Sequence, residues 1–178
     1  MPVSIRPADP ARPAFAGEVE GVDLRQPISP EDVRAIDAGM DHYGVLVFHD
    51  QQLDDAQQLA FSRNFGEIEL ATGDIAQGDQ RRLSMEVNDI SNLDKSNNVL
   101  GRDDRRRLFS LGNMLWHSDS SFKATPAKYS ILSARVIPGV GGNTEYADMR
   151  AAYDALDDEM KALVKDLVCL LYTSDAAD

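Results

Sequence analysis

The chain contains a single cysteine, Cys169, so no intramolecular disulfide can form, and the sequence suits a reducing compartment. Basic residues are few: 18 Lys and Arg stand against 30 Asp and Glu, a formal net charge of −12. Phosphate backbones and anionic lipid surfaces repel such a chain, which excludes nucleic acid and membrane surfaces as partners. No hydrophobic run approaches the length that crosses a bilayer. The opening residues, Met1 to Pro7, carry no apolar stretch of the secretory type. A cytoplasmic protein is therefore expected. What is present is ordinary for a globular fold: 178 residues, 43% hydrophobic and 27% charged, are enough for one domain with a real core. The one basic cluster, Arg105-Arg106-Arg107, follows Asp103-Asp104 and is expected to lie in a solvated loop rather than at a phosphate site.

Residues 1–17 are rich in Pro and Ala and are expected to be extended or irregular, with a short strand between Gly17 and Leu24. Ser29-Pro30-Glu31-Asp32 is a helix start, with a capping hydroxyl, proline at the first helical position and acids in the first turn. Val33, Ile36 and Met40 continue it at helical spacing to about residue 42. Val45-Leu46-Val47-Phe48 is a buried strand in prospect. Asp54 with Gln57 forms a capping-box pattern for a second helix, which Gly66 stops. Residues 83–87, 129–137 and 143–148 are expected to be strands, with a turn at Gly141-Gly142, and residues 88–112 a long polar loop. Tyr153 to Leu167 has helical spacing that Asp157-Asp158 divides into two. Helices followed by strands indicate an α+β fold with a β core.

The chemistry concentrates in Asn113-Met114-Leu115-Trp116-His117-Ser118-Asp119. In an extended strand, side chains two apart share a face. His117 and Asp119 would then converge, with Leu115 and Asn113 on the same side and Trp116 packed inward opposite. An imidazole and a carboxylate at one point are two thirds of the facial triad that holds non-haem Fe(II). By itself such a pair is more often a surface hydrogen bond. Its place after a polar loop, before the small residues Ser118, Ser120 and Ser121, favours a site. His42 and His49 read instead as residues at the ends of elements.

The run Leu115-Trp116-His117-Ser118-Asp119-Ser120-Ser121-Phe122 resembles the metal motif of the TauD/TfdA family of Fe(II)- and 2-oxoglutarate-dependent dioxygenases. Ser133 to Pro138 and Gly141 to Tyr153 resemble that family's next block, and the branch acting on 2,4-dichlorophenoxyacetate is the nearer match. Val45 to Phe48 and Phe61 to Gly66 resemble its opening unit. The resemblance spans roughly residues 15–168. It implies a double-stranded β-helix, or jelly roll, present here only in part, with N-terminal helices and the C-terminal half missing. It implies His117 and Asp119 as iron ligands, Thr144 as a 2-oxoglutarate contact and Asn113 beside the substrate. It implies O₂-dependent hydroxylation of a small anionic substrate such as an aryloxyalkanoate, with succinate and CO₂ as coproducts. A taurine or alkylsulfonate dioxygenase of the same family is the alternative, and a non-catalytic metal- or ligand-binding jelly-roll fragment is another. A homo-oligomer is compatible with all three.

The pattern is also incomplete. No histidine follows Asp119, and Arg135 and Arg150, the only later arginines, do not stand where the family grips the far carboxylate of 2-oxoglutarate. Residues 169–178 resemble foreign translated sequence. The expectation is residues 1–168 as the N-terminal part of one dioxygenase domain, 169–178 as a non-native tail, and the fragment itself as inactive.

Overall fold

A computed structural model describes residues 2–71, 81–121, 123 and 125–167. The chain divides into two units, Met1–Gly66 with Ile131–Cys169, and Glu67–Ser130 with Leu170–Asp178. The tail expected at 169–178 lies outside the described residues.

The first unit is built on a three-stranded sheet in the order β1 (Ser4–Pro7), β2 (Gly17–Glu20), β3 (Leu46–Phe48). β1 pairs with β2 antiparallel, Ser4 opposite Glu20, and β2 pairs with β3 parallel, Gly17 opposite Leu46. The parallel pair needs a crossover, and α1 (Pro30–Tyr43) supplies it. Ser29 caps α1: its Oγ accepts from the Asp32 amide at 3.1 Å and donates to Asp32 Oδ2 at 2.8 Å. Asp32 Oδ1 in turn accepts the Val3 amide at 3.2 Å, so the cap ties the N-terminal segment to the helix. These bonds, Ser29 first and Val3 second, hold the Asp32 carboxyl below its usual range. Gly44 ends α1 in the left-handed conformation at φ 71°, returning its amide to the Met40 carbonyl. α2 (Asp55–Ser62) begins with a reciprocal capping box, Asp54 to the Gln57 amide at 2.8 Å and Gln57 to the Asp54 amide at 2.9 Å. A 3-10 turn at Arg63–Phe65 carries α2 to Gly66.

Leu24, Ile36 and Phe61 form the buried core, with Ile28, Leu46, Phe48 and Phe65 packed around them. Phe61 meets Phe48 and Phe65 edge-to-face at centroid distances of 5.7 and 5.2 Å. The unit closes with α4 (Met149–Asp154) and α5 (Asp158–Val164), which Asp157 separates as the N-cap of α5. The division at Asp157-Asp158 is the expected one.

Several expected elements are absent. The strand at residues 4–7 lies in a segment expected to be extended or irregular without a named strand, and β1 forms there because β2 offers it a hydrogen-bonding edge. Conversely, residues 129–137 and 143–148 carry strong strand propensity yet form no strand. Propensity only favours a pleated surface against a neighbour, and among the described residues no partner strand lies alongside them. Val136, Ile137 and Val140 are accordingly exposed. Gly141 and Gly142 both take a positive φ of 73°, with no turn assigned at either residue. The strand expected at 83–87 is a turn, with the Val87 amide bonded to the Ser84 carbonyl at 3.2 Å.

In the second unit, part of the expected long loop is helical: α3 (Arg105–Ser110) runs into a 3-10 turn at Leu111–Met114. Asp104 caps α3 by accepting the Arg106 amide, and it also takes the Arg106 guanidinium at 3.1 and 2.9 Å. The Arg106 side chain holds the Asp104 carboxyl down at about 2. The arginine cluster thus begins a helix, not the loop that its composition suggested, and Asp104 answers the charge of Arg106. Leu93 and Val99 bridge across a tight loop in which Asp94 Oδ1 accepts the amides of Ser96 and Asn98.

Candidate metal centre

The His117 and Asp119 side chains converge: Nε2 lies 3.3 Å from Oδ1. They do so on a turn, not on the expected strand. The 3-10 turn ends at Met114, Leu115 is extended, residues 116–118 have no regular structure, and residues 119–121 turn again with Ser120 at φ 55°. The turn at 119–121, rather than strand alternation, brings the side chain of Asp119 back to His117. Trp116, expected to pack inward, is 70% exposed, and among the described residues of its unit there is no sheet for the indole to cover. Asn113 sits one turn earlier, inside the 3-10 helix, so it does not share a strand face with His117.

The imidazole orientation is set by a local bond. His117 Nδ1 lies 2.7 Å from the Leu115 carbonyl oxygen. A carbonyl can only accept, so Nδ1 carries a proton, and Nε2 is the ring nitrogen turned towards Asp119. A lone pair and a carboxylate oxygen facing each other are stable together when a cation or a proton lies between them. Two ligand atoms at adjacent positions about 2.1 Å from one ion stand about 3 Å apart, close to the spacing seen here. The Nδ1–H···O=C bond is the outer-shell contact by which metal-binding histidines are commonly fixed. These two donors fit one divalent ion. Among the described residues no group of three His, Cys, Asp or Glu side chains gathers, so the pair makes a partial centre. Both side chains are open to solvent, 44% for His117 and 57% for Asp119.

A second set of residues lies against this turn. Glu69 Oε1 accepts the Ser120 hydroxyl at 3.0 Å and the Lys123 ammonium at 2.7 Å. Lys123 is the main reason that the Glu69 carboxyl is held below its usual range; the neighbouring Asp119 charge acts in the opposite direction. Glu69 is some fifty residues upstream, and no spacing in the sequence points to it. Thr144 belongs to the first unit and lies in the irregular 139–148 stretch, exposed. His42 occupies the last turn of α1, and His49 Nε2 sits 3.4 Å from Glu18 Oε1.

The family profile described as "Taurine catabolism dioxygenase TauD, TfdA family" matches residues 4–174. The chain belongs to the TauD/TfdA family. It is 45% identical over 160 residues to an alpha-ketoglutarate-dependent 2,4-dichlorophenoxyacetate dioxygenase of Cupriavidus pinatubonensis, covering 90% of this chain and 56% of that protein. It is 39% identical over 160 residues to an (S)-phenoxypropionate/alpha-ketoglutarate-dioxygenase of Sphingobium herbicidovorans, covering 89% and 50%. Among solved structures, it resembles AAD-2 in complex with Mn(II) and N-oxalylglycine, at a TM-score of 0.85 and 53% identity, over 94% of this chain and 57% of the other. The chain therefore spans about half the length of the curated relatives that it matches. Among the described residues, no helix is long and apolar enough to cross a membrane.

Proposed function

We propose that this chain is the metal-bearing first half of an Fe(II)- and 2-oxoglutarate-dependent dioxygenase that hydroxylates a small anionic substrate, an aryloxyalkanoate in the first instance. The observation that carries this reading is the His117–Asp119 pair, in which the Leu115 bond takes Nδ1 and leaves Nε2 facing the carboxylate, in a chain whose relatives act on phenoxyalkanoates. The complex of AAD-2 with Mn(II) and N-oxalylglycine supports a divalent metal and a keto acid as companions in this family.

In this reading His117 and Asp119 hold the metal, Thr144 contacts 2-oxoglutarate and Asn113 lies beside the substrate. Leu115 keeps the imidazole in the tautomer that can ligate. Bound Fe(II) and 2-oxoglutarate supply the oxidising chemistry, which turns O₂ and a C–H bond into an alcohol, succinate and CO₂. The third ligand, and the arginine that grips the far carboxylate, belong to the part of the domain that the relatives have and this chain does not span. The same remainder completes a double-stranded β-helix and gives partners to residues 129–137 and 143–148. The protein acts in the cytoplasm.

The test is oxygen uptake by the natural full-length protein, with 2-oxoglutarate and a panel of aryloxyacetates, aryloxypropionates and alkylsulfonates. Uptake and succinate release with an aryloxyalkanoate, lost in His117→Ala, is the expected result. Activity that survives His117→Ala overturns the assignment, because a facial triad cannot lose a ligand and keep its geometry.

A further inference from the structure

The span 131–148 has no regular secondary structure, yet it holds a defined course in the first unit. Among the described residues, side-chain hydrogen bonds tie it to the rest of that unit near its two ends. At the upstream end, the Arg135 guanidinium reaches α2: Nη1 donates to the Leu53 carbonyl, and Nη2 donates to Asp55 Oδ1 at 3.0 Å and Gln58 Oε1 at 2.9 Å. Gln58 Nε2 returns a bond to the Ile131 carbonyl at 3.3 Å. At the downstream end, Arg150 Nη1 donates to the carbonyls of Asp41 and His42 at 3.1 and 3.0 Å. Its Nη2 donates to the Ala14 carbonyl at 3.3 Å. Asp148 holds the same guanidinium through Nε at 3.0 Å and Nη2 at 3.2 Å.

Each guanidinium sits at a helix end. Asp41 and His42 are in the last turn of α1, whose carbonyls have no intrahelical partner, and a cation there meets the negative end of the helix dipole. Leu53 and Asp55 flank the Asp54 cap of α2. Apart from the local Arg150–Asp148 pair, the guanidinium contacts join residues 77 to 136 positions apart, so they are not local surface pairs. Each uses several donors of one planar fork, which a lysine cannot copy.

We propose that Arg135 and Arg150 are positioning residues, two clamps that seat the ends of the 131–148 span on α2 and α1 and so set the place of Thr144 between them. The link to Thr144 rests on the function proposed above; the clamps themselves do not.

The test is limited thermolysin digestion of this 178-residue chain with fragments identified by mass, beside Arg135→Gln, Arg150→Gln and the two Lys variants. The span exposes Leu132, Val136, Ile137 and Val140 as cleavage points. Each Gln variant should be cut within 131–148 about tenfold faster, with cleavage between residues 17 and 48 unchanged, and the Lys variants should be nearly as fast as the Gln ones. In the natural full-length protein, the same Gln changes should raise the KM for 2-oxoglutarate more than they lower kcat. Wild-type cleavage within 131–148 in both Gln variants overturns the proposal, as does acceleration spread equally over residues 17–48. A protein without oxygenase activity would remove the function reading, while the digestion result would still decide the clamps.

Discussion

Gly17 on β2 lies against Tyr43 at the end of α1 so closely that a Cβ on the glycine would stand 2.8 Å from Tyr43 Cδ2. The same Cβ would stand 2.8 Å from Ile5 Cγ2 and 3.0 Å from Leu46 Cδ2. Sheet and helix meet at this point, where the Gly17 amide also donates to the Val45 carbonyl at 2.9 Å and the Ala16 amide to the Tyr43 carbonyl at 3.1 Å. Gly17→Ala sets two effects against each other. Removing a strand glycine gains about 0.5–1 kcal/mol of backbone entropy. Crowding three neighbours costs about 1–3 kcal/mol, and it should win. Urea unfolding should show a net loss, and Tyr43→Ala should make the added methyl less costly in the double variant.

Ser29→Ala should lower stability by about 0.5–2 kcal/mol, since it removes the α1 cap and the bond that steadies Asp32 under the Val3 amide. Ser29→Thr should recover most of the loss. A Ser29→Ala protein with an unchanged unfolding midpoint would show that the cap contributes nothing.

The partial centre should bind Mn(II) weakly. His117→Ala and Asp119→Ala should each weaken that binding by at least about tenfold, as read by the free-Mn(II) electron paramagnetic resonance signal. Equal binding by wild type and both variants would place the ion elsewhere.

Asp104 should titrate far below an ordinary aspartate. Its carboxyl is held at about 2 in the folded protein, against 3.8 ordinarily, by the Arg106 side chain first and the Arg106 amide second. A lowered folded value means that the contribution is fully present above pH 4 or so, and is lost as pH falls towards 2. Carbon-detected NMR titration should give Asp104 a midpoint near 2 in the wild type and one closer to the ordinary value in Arg106→Gln. A wild-type midpoint near 4 would remove the pairing.

What the sequence determined alone is what short separations control. Ser29 with Asp32, and Asp54 with Gln57, cap their helices because donor and acceptor lie three residues apart and need no other part of the chain. His117 and Asp119 also converge within three residues, through a local turn at 119–121 and not through the strand alternation expected of them. The tertiary structure decided whatever needed a distant partner. Ser4–Pro7 became a strand because β2 lies beside it, and residues 129–137 did not, for want of a described neighbour. Glu69 joined Lys123, and Arg150 reached the end of α1, across separations that no periodicity encodes. A hydrogen bond three residues away is written into local geometry, whereas one a hundred residues away exists only after the chain has folded and brought its two ends together.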